Sequence, residues 1–470
     1  MSAIIESRDI PIAWQLVPLK ELGVWSGGGT PSKAKPEYWT DGSIPWVSPK
    51  DMKTERIIDS EDHITKAAVE ESTAKLIPEG SVLVVTRSGI LSHTLPVAVT
   101  AVPVTANQDL KAITPKEGVL PEYVAWALRC FAREILNTCS KQGTTVASIE
   151  TAALHRFEIP LAPLDQQKRI VAEIEKQFSR LDEAVANLKR VKANLKRYKA
   201  VVLKAAVEGR LVETEAEIAR REGRSFETGA QLLQRILETR RSQWQGKRKY
   251  KEPTAPDTTD LPELPAGWVW ASVDQLTGDS LIGLDRGRDL QNSDGIGLPY
   301  VKMNNVTMEG EVTSEGMVYV DASNEEKGRF NLQTGDLLFN TRNSKELVGK
   351  VGIVRSPPSG AIYNNNLMRL RTVNSVMPGF VCSQMCSDGF RRRMELVKKA
   401  TTNVAAVYAK DLFPLPLALP PLTEQHRIVA ELDRRLSLLR ETEAQVVANL
   451  THTKRMRQAI LKSAFSAGHD

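Results

Sequence analysis

The segment QQKRIVAEIEKQF at 166–178 returns as EQHRIVAELDRRL at 424–436, 258 positions later. Self-similarity at a long period constrains a fold more than any local pattern, because each copy must satisfy the same packing rules. The match runs from PLDQQKRIVAEIEKQFSRL (163–181) against PLTEQHRIVAELDRRLSLL (421–439). It extends to LKAA (203–206) against LKSA (461–464), and upstream to GTTVASI (143–149) against TTNVAAV (401–407). Weaker pairs precede these: IPWVSPKDM (44–52) with LPYVKMNNV (298–306), IPEGSVLVVTRSG (77–89) with LQTGDLLFNTRNS (332–344), and ANQDL (106–110) with YNNNL (363–367). The offset drifts from 254 to 258, as small loop insertions require. The chain therefore reads as a tandem duplication in which each half is a variable, strand-rich region followed by a long helix. The helices agree and the variable regions do not, so the helices share one job and the variable regions do two.

Both helical segments carry apolar residues at alternating spacings of three and four, the pattern of a coiled-coil seam. In the first, Val171, Phe178 and Val185 alternate with Ile174, Leu181, Leu188, Leu195 and Val202, with Lys192 and Lys199 continuing the first series. In the second, Val429, Leu436 and Leu450 alternate with Leu432, Leu439, Val446 and Ile460, and Glu443, Thr453 and Arg457 interrupt the seam. Prolines 160 and 163, and 414, 416, 420 and 421, precede the helices, where a missing N–H costs nothing. Asp165 and Thr423 are the expected N-caps, although Asp165 also fits one position inside the helix, and Gly209 and Gly468 are the expected stops. A helix from about 166 to 206 spans roughly 60 Å and cannot bury its stripe alone. The simplest solution pairs the two helices antiparallel within one molecule; pairing between two chains is the alternative. Antiparallel pairing of a tandem repeat creates a pseudo-twofold axis with the variable regions at opposite ends, which suits a long, pseudo-symmetric ligand such as duplex DNA.

The variable regions read as α+β. SVLVVT (81–86) and DLLFNT (336–341) are strands introduced by turns at Gly80 and Gly335. PEYVAWALRCFAREIL (121–136) and SQMCSDGFRRRMELVKKA (383–400) are helical, the latter interrupted near Gly389. Polar and basic loop residues recur at matched places. The first half offers Thr30, Ser32 and Lys33 in the glycine-rich SGGGTPSK (26–33), then Lys50, Arg87, Ser88, Asn107, Gln108, Lys141, Thr144 and Thr145. The second offers Lys302, Asn304, Arg342, Asn343, Lys345, Asn364, Asn365, Thr401 and Thr402. Arg bridges guanine O6/N7 and Asn or Gln bridges adenine N6/N7, while Lys, Ser and Thr suit phosphate oxygens. Each residue alone has a plainer reading, since loop arginines are commonly solvated and asparagines commonly make turns. The set, repeated in both halves, favours a DNA-facing surface.

Charge and composition are compatible with this. The net charge is +6 and the pI near 9.0, mildly basic. SGGGTPSK lacks the G-x-x-x-x-G-K-[ST] spacing of a nucleotide phosphate cradle. The six histidines show no metal-ligand spacing, and His155 and His426, beside the starts of the helices, read as structural. The four cysteines, Cys130, Cys139, Cys382 and Cys386, form no C-x-x-C pair and read as idle thiols in a reducing cytoplasm. No apolar run is long enough to span a membrane, and the N-terminal text does not read as a secretion signal.

On the proline-rich approaches followed by DQQKRIVAEIEKQF and EQHRIVAELDRRL, with IPEGSVLVVTRSG and LPAGWVW (264–270), the chain resembles the specificity subunit of type I restriction–modification enzymes over nearly its whole length. The resemblance implies an α+β fold of two target-recognition domains separated by a long antiparallel two-helix coiled coil. The expected divisions are 1–160 and 263–418 for the recognition domains, 161–210 and 419–470 for the spacer helices, and 211–262 for a charged, partly helical linker. It further implies a non-catalytic subunit acting on double-stranded DNA in phage defence, each domain reading one half of a split, asymmetric target. Two methyltransferase subunits would dock on it, and motor-nuclease subunits would join for cleavage. S-adenosylmethionine, Mg and ATP would sit on those partners and none on this chain; no Asn-Pro-Pro-Tyr motif or P-loop is visible in it. The alternatives are a stand-alone DNA-binding regulator and an enzyme acting directly on DNA. The linker is the departure from the pattern: Leu232, Leu233, Ile236 and Leu237 are expected to pack on a partner, and RRSQWQGKRKYK to be a solvated basic run or a DNA contact.

Overall fold

The computed structural model describes residues 11–141, 146–246, 249–400 and 404–466. Two compact units emerge: the first joins residues 1–190 with 446–470, and the second is the continuous stretch 191–445. The chain passes from one unit to the other within its two long helices, Leu164–Val207 and Leu422–Phe465, each of 44 residues.

In the first unit a five-stranded sheet runs in the order Gly23–Gly27, Leu110–Pro115, Val82–Val85, Val97–Thr100, Arg56–Ile57. A three-stranded sheet pairs Ile44–Val47 antiparallel with Asp62–Ile64 and parallel with Thr105–Ala106. The second unit repeats this plan with Thr277–Ile282, Leu367–Thr372, Leu337–Asn340 and Val351–Ile353. Its three-stranded sheet likewise pairs Leu298–Val301 antiparallel with Val318–Val320 and parallel with Ile362–Tyr363. Val82–Val85 and Leu337–Asn340 are buried throughout, as continuous apolar strands covered on both faces must be. Gly80 and Gly335 introduce them at φ 77° and 93°, a left-handed conformation that favours glycine.

The long helices use the expected stripe. In the first unit Val171, Ile174 and Phe178 share a core with Leu461, Ala464 and Phe465, with Leu181 and Ile460 packed on it. Arg457 lies over the Phe178 ring at 4.9 Å and ion-pairs with Asp182. In the second unit Val202 and Ala206 share a core with Ile428 and Leu432. The start of the first helix thus meets the end of the second, and the end of the first meets the start of the second: the pairing is antiparallel and within one chain. Val185, Leu188, Leu195, Leu436 and Leu450 are half-buried, Leu439 and Val446 buried, and Lys192 is exposed. Asp165 and Thr423 fall inside the first turn rather than at the cap, because the helices begin one residue earlier. Gly209 does stop the first helix, at φ 69°, with Arg210 N–H returning to the Ala205 carbonyl at 2.8 Å. Gly468 lies outside the described residues.

One side chain explains why the repeat is so clear at the start of each helix. Gln167 is buried; its Oε1 accepts from Leu120 N–H (2.9 Å) and its Nε2 donates to the carbonyls of Gly118 (3.0 Å) and Ala162 (2.8 Å). Gln425 repeats this, accepting from Met377 N–H (2.9 Å) and donating to the Pro420 carbonyl (3.0 Å). Leu120 and Met377 are the caps of helices Pro121–Cys130 and Pro378–Met385, so each glutamine fastens a variable-region helix to a long helix. The preceding residue also repeats: Trp14 Nε1 donates to Gln166 (2.7 Å) and Trp268 Nε1 to Glu424 (2.9 Å).

Three expectations are corrected. The apolar text at 121–136 is two helices, Pro121–Cys130 and Ala132–Cys139. The break in 383–400 falls at Ser387, whose Oγ caps the second helix by accepting from Phe390 N–H (3.3 Å), and Gly389 lies inside that helix. Nor do the apolar residues of the insert await a partner: Leu232 and Ile236 are buried in the second unit's own core, and Leu233 packs against it. The insert folds as two helices, Glu215–Glu222 and Gly229–Ser242, each opened by a capping box. Glu424 holds the first by accepting from Glu215 N–H (2.9 Å), and burial pushes the Glu424 carboxyl above its usual range.

Gln167→Ala or Gln425→Ala leaves buried N–H and carbonyl groups unpaired, which costs about 1–3 kcal/mol. The expected signature is faster hydrogen exchange at Leu120 in the first variant and at Met377 in the second, each without change at the other.

Candidate nucleic-acid interface

In the first unit, backbone hydrogen bonds gather the polar loops at one edge of the sheets. Thr86 N–H donates to the Asp109 carbonyl (2.8 Å), Ile149 N–H to the Thr86 carbonyl (2.8 Å), Asn107 N–H to the Val47 carbonyl (2.9 Å) and Gly29 N–H to the Ala106 carbonyl (2.8 Å). The second unit uses matching bonds: Thr341 N–H to Asn366 (2.9 Å), Val407 N–H to Thr341 (2.9 Å) and Asn364 N–H to Val301 (2.9 Å). Gly28 and Gly283 occupy equivalent close approaches. A Cβ on Gly28 would lie 1.8 Å from the Asn107 carbonyl oxygen, and one on Gly283 2.3 Å from that of Tyr363. The glycine-rich turn is thus packed in place rather than free.

Arg87 and Arg342 hold the same position in this scaffold. Arg87 bridges antiparallel to Ser148, and Arg342 pairs antiparallel with Ala406. Both side chains are exposed, and among the described residues neither makes a hydrogen bond or ion pair. Lys33, Lys141, Lys345 and Asn304 are exposed on the surrounding loops, as are Thr30, Ser32 and Gln108. Thr30 Oγ1 donates to Gln108 Oε1 (2.5 Å), joining the first turn to the 107–109 loop. Ser88 is half-buried and caps a short turn, accepting from Ile90 N–H (3.4 Å). Asn365 is half-buried, its N–H bonded to the Leu284 carbonyl (3.1 Å).

Other candidates are engaged in building the loops. Asn107 is buried, accepts from Asp109 N–H (3.1 Å) and donates to Asp109 Oδ2 (3.1 Å). Asn364 is its counterpart, accepting from Asn366 N–H (2.8 Å) and donating to Tyr300 Oη (3.0 Å). The expectation that these two read adenine is therefore corrected: their amides close the loops. Asn343 is similarly engaged with Asn340 (3.0 Å) and Ser344 N–H (2.8 Å). Lys50 is exposed but paired with Asp62 (2.9 Å) and Glu61 (3.2 Å); the hydrogen bond to Asp62 holds its ammonium above the usual lysine range. Lys302 is half-buried and donates to Gln291 (2.9 Å). Thr144, Thr145, Thr401 and Thr402 lie outside the described residues.

Sequence reasoning missed the segment Gly283–Leu290, the counterpart of the glycine-rich turn. Its Leu284 pairs with the 364–366 loop, Arg288 is exposed further along it, and Arg286 is held by Glu326 at 2.8 and 2.9 Å. Ser323 N–H and then Arg286 keep the Glu326 carboxyl below its usual range. The only shared sequence signal was one glycine. His155 is packed 4.4 Å from the Trp25 ring and burial pushes its pKa down, whereas His426 is exposed. All four cysteines are buried. Among the described residues no cluster of metal-ligating side chains occurs, and no helix is long and apolar enough to cross a membrane.

Comparison with known proteins follows the same lines. A family model described as the type I restriction modification DNA specificity domain matches residues 11–197. The type I restriction enzyme EcoR124I/EcoR124II specificity subunit of Escherichia coli is 43% identical over 182 residues, 39% of this chain and 44% of that protein. The MjaIX specificity subunit of Methanocaldococcus jannaschii is 31% identical over 183 residues, 38% of this chain and 40% of that one. These two relatives are thus matched over less than half of their own length. The EcoKI specificity subunit of Escherichia coli is 22% identical over 476 residues, covering 98% of this chain and 90% of that one. A solved chain from a study of the assembly and conformational transition of the type I R-M system aligns with a TM-score of 0.66. It covers 98% of this chain and 100% of that chain at 20% identity, a likeness of fold.

If the asparagines build the loops, Asn107→Ala and Asn364→Ala each lower the free energy of unfolding by about 1–3 kcal/mol. Gln108→Ala and Arg342→Ala, on exposed side chains, change it by less than about 0.5 kcal/mol. Urea titration of the four variants measures both.

Proposed function

We propose that the chain is a DNA specificity subunit of the type I restriction–modification kind, which reads a bipartite, asymmetric sequence in duplex DNA, one part with each unit. The observation that carries this reading is the pairing of Arg87 with Arg342. One scaffold of hydrogen bonds presents an exposed arginine, without a side-chain partner among the described residues, at the same place in both units, and the exposed loop residues differ: Lys33, Gln108 and Lys141 in one unit, Arg288, Asn304 and Lys345 in the other. An exposed guanidinium is equipped for a bidentate bond to guanine, and unlike neighbours specify unlike targets.

In this reading the chain recognises and its partners react. The paired helices set the separation between the two read parts, and two methyltransferase subunits dock on this chain. Motor-nuclease subunits join for cleavage, with S-adenosylmethionine, Mg and ATP held by those partners. The names of the related proteins, all specificity subunits of type I restriction enzymes, support the assignment.

Arg87→Ala is expected to relax discrimination at one part of the target by about 1–3 kcal/mol per base pair read, and Arg342→Ala at the other. Binding to duplexes substituted in one part at a time measures this; uniform weakening on all DNA would assign the arginines to phosphates. Adding four residues to both long helices at matched positions lengthens each by about 6 Å, one to two base pairs at about 3.4 Å each. The preferred spacer should lengthen accordingly, as selection from a library of spacer lengths would show; an unchanged spacer refutes the helices as its measure.

A further inference from the structure

Lys350 is a buried lysine, 8% exposed, and among the described residues its ammonium forms no ion pair. It donates to two backbone carbonyls, Met303 at 2.8 Å and Val306 at 2.6 Å. Those carbonyls flank the exposed tip residue Asn304. Burial draws the lysine pKa down, with Glu309 acting the other way. Placing an ammonium in such a site is costly unless its protons are used.

The backbone of Lys350 is equally committed. Its carbonyl accepts from Asn340 N–H at 2.7 Å, at the end of the strand that continues into Arg342. One residue therefore ties the segment leading to Arg342 to the loop that carries Asn304. The loop is also braced from within: Asn305, buried, accepts from Lys302 N–H (2.9 Å) and donates to the Glu315 carbonyl (2.9 Å).

The first unit builds the equivalent loop without this clamp. Pro96 stands where Lys350 does, its carbonyl accepting from Val85 N–H at 3.2 Å, and it has no side-chain donor. There the bracing comes from Asp51, accepting from Ser48 N–H (2.8 Å), Ser48 Oγ (2.9 Å) and Glu61 N–H (3.1 Å), and from the exposed ion pairs of Lys50 with Glu61 and Asp62.

We propose that Lys350 is a positioning residue for sequence reading by the second unit: its ammonium fixes the Lys302–Val306 loop, and so Asn304, relative to Arg342. The proposal rests on the DNA-reading function above. It confines the effect to one half of the target, because the first unit has no counterpart. A lysine is suited to the task because it brings several protons on one small head to two carbonyls; methionine fills similar space and donates to neither.

The test uses the full chain with its methyltransferase partners and duplexes carrying the mapped target or single-base substitutions in either half. Lys350→Met is expected to lower discrimination in the half read by the second unit on the order of tenfold, to leave the other half unchanged, and to speed hydrogen exchange across 302–306. Lys350→Arg, which keeps the charge and the donors, restores part of the discrimination. Asn304→Ala, on an exposed side chain that leaves the fold intact, produces the same half-restricted defect and serves if Lys350→Met does not fold. Unchanged discrimination in Asn304→Ala, or in Lys350→Met with a loosened loop, overturns the proposal, as does equal loss in both halves. Failure of the unaltered complex to distinguish its target from substituted duplexes overturns the DNA-reading function itself, a separable outcome.

Discussion

A helix of 44 residues with a narrow apolar stripe has no stable existence alone in water, since its own hydrogen bonds leave the stripe exposed. The chain meets this constraint by carrying a second copy, so that Phe178 and Ile174 meet Leu461 and Phe465 in one unit while Val202 meets Ile428 and Leu432 in the other. Everything else is hung on that seam. Gln167 and Gln425 convert it from a packing surface into a mount, because each spends a buried amide on the cap of a variable-region helix. A buried amide tolerates little displacement: a shift of an ångström breaks its bonds and leaves the partners unsatisfied. The variable regions are therefore held firmly by buried side chains rather than by their exposed loops.

This division recurs inside the loops. Asn107 and Asn364 close turns, Gly28 and Gly283 allow backbones to touch, and Thr86 and Thr341 tie neighbouring segments. Those residues match between the units because the geometry they build is the same. The exposed side chains around Arg87 and Arg342 are released from that duty and differ. A scaffold of internally satisfied polar groups with a few unsatisfied, exposed ones is suited to a surface whose specificity changes while its fold does not.

The seam, the antiparallel pairing and the paired strands were legible in the sequence because heptad spacing, an apolar run and a repeat offset are all direct images of packing. The asparagines were misread for a reason inherent in the residue: the amide that bridges adenine also closes a turn, and only burial decides between them. Gly283–Leu290 escaped notice because its kinship to the glycine-rich turn lies in one close backbone approach. The insert looked like a linker since its charged faces dominate the text, yet Leu232 and Ile236, four apart, are enough to seat it in a core. Lys350 gave no signal at all, because a lone lysine in sequence is indistinguishable from a solvated one.

In the proposed function, two similar units read two different stretches of one duplex. Sequencing of the methylated sites made in cells by this chain with its methyltransferase partners tests it most directly. The expected result is a single motif of two unlike specified parts separated by a fixed number of unspecified base pairs. A continuous motif, a palindrome of two identical parts, or methylation without sequence preference would contradict it.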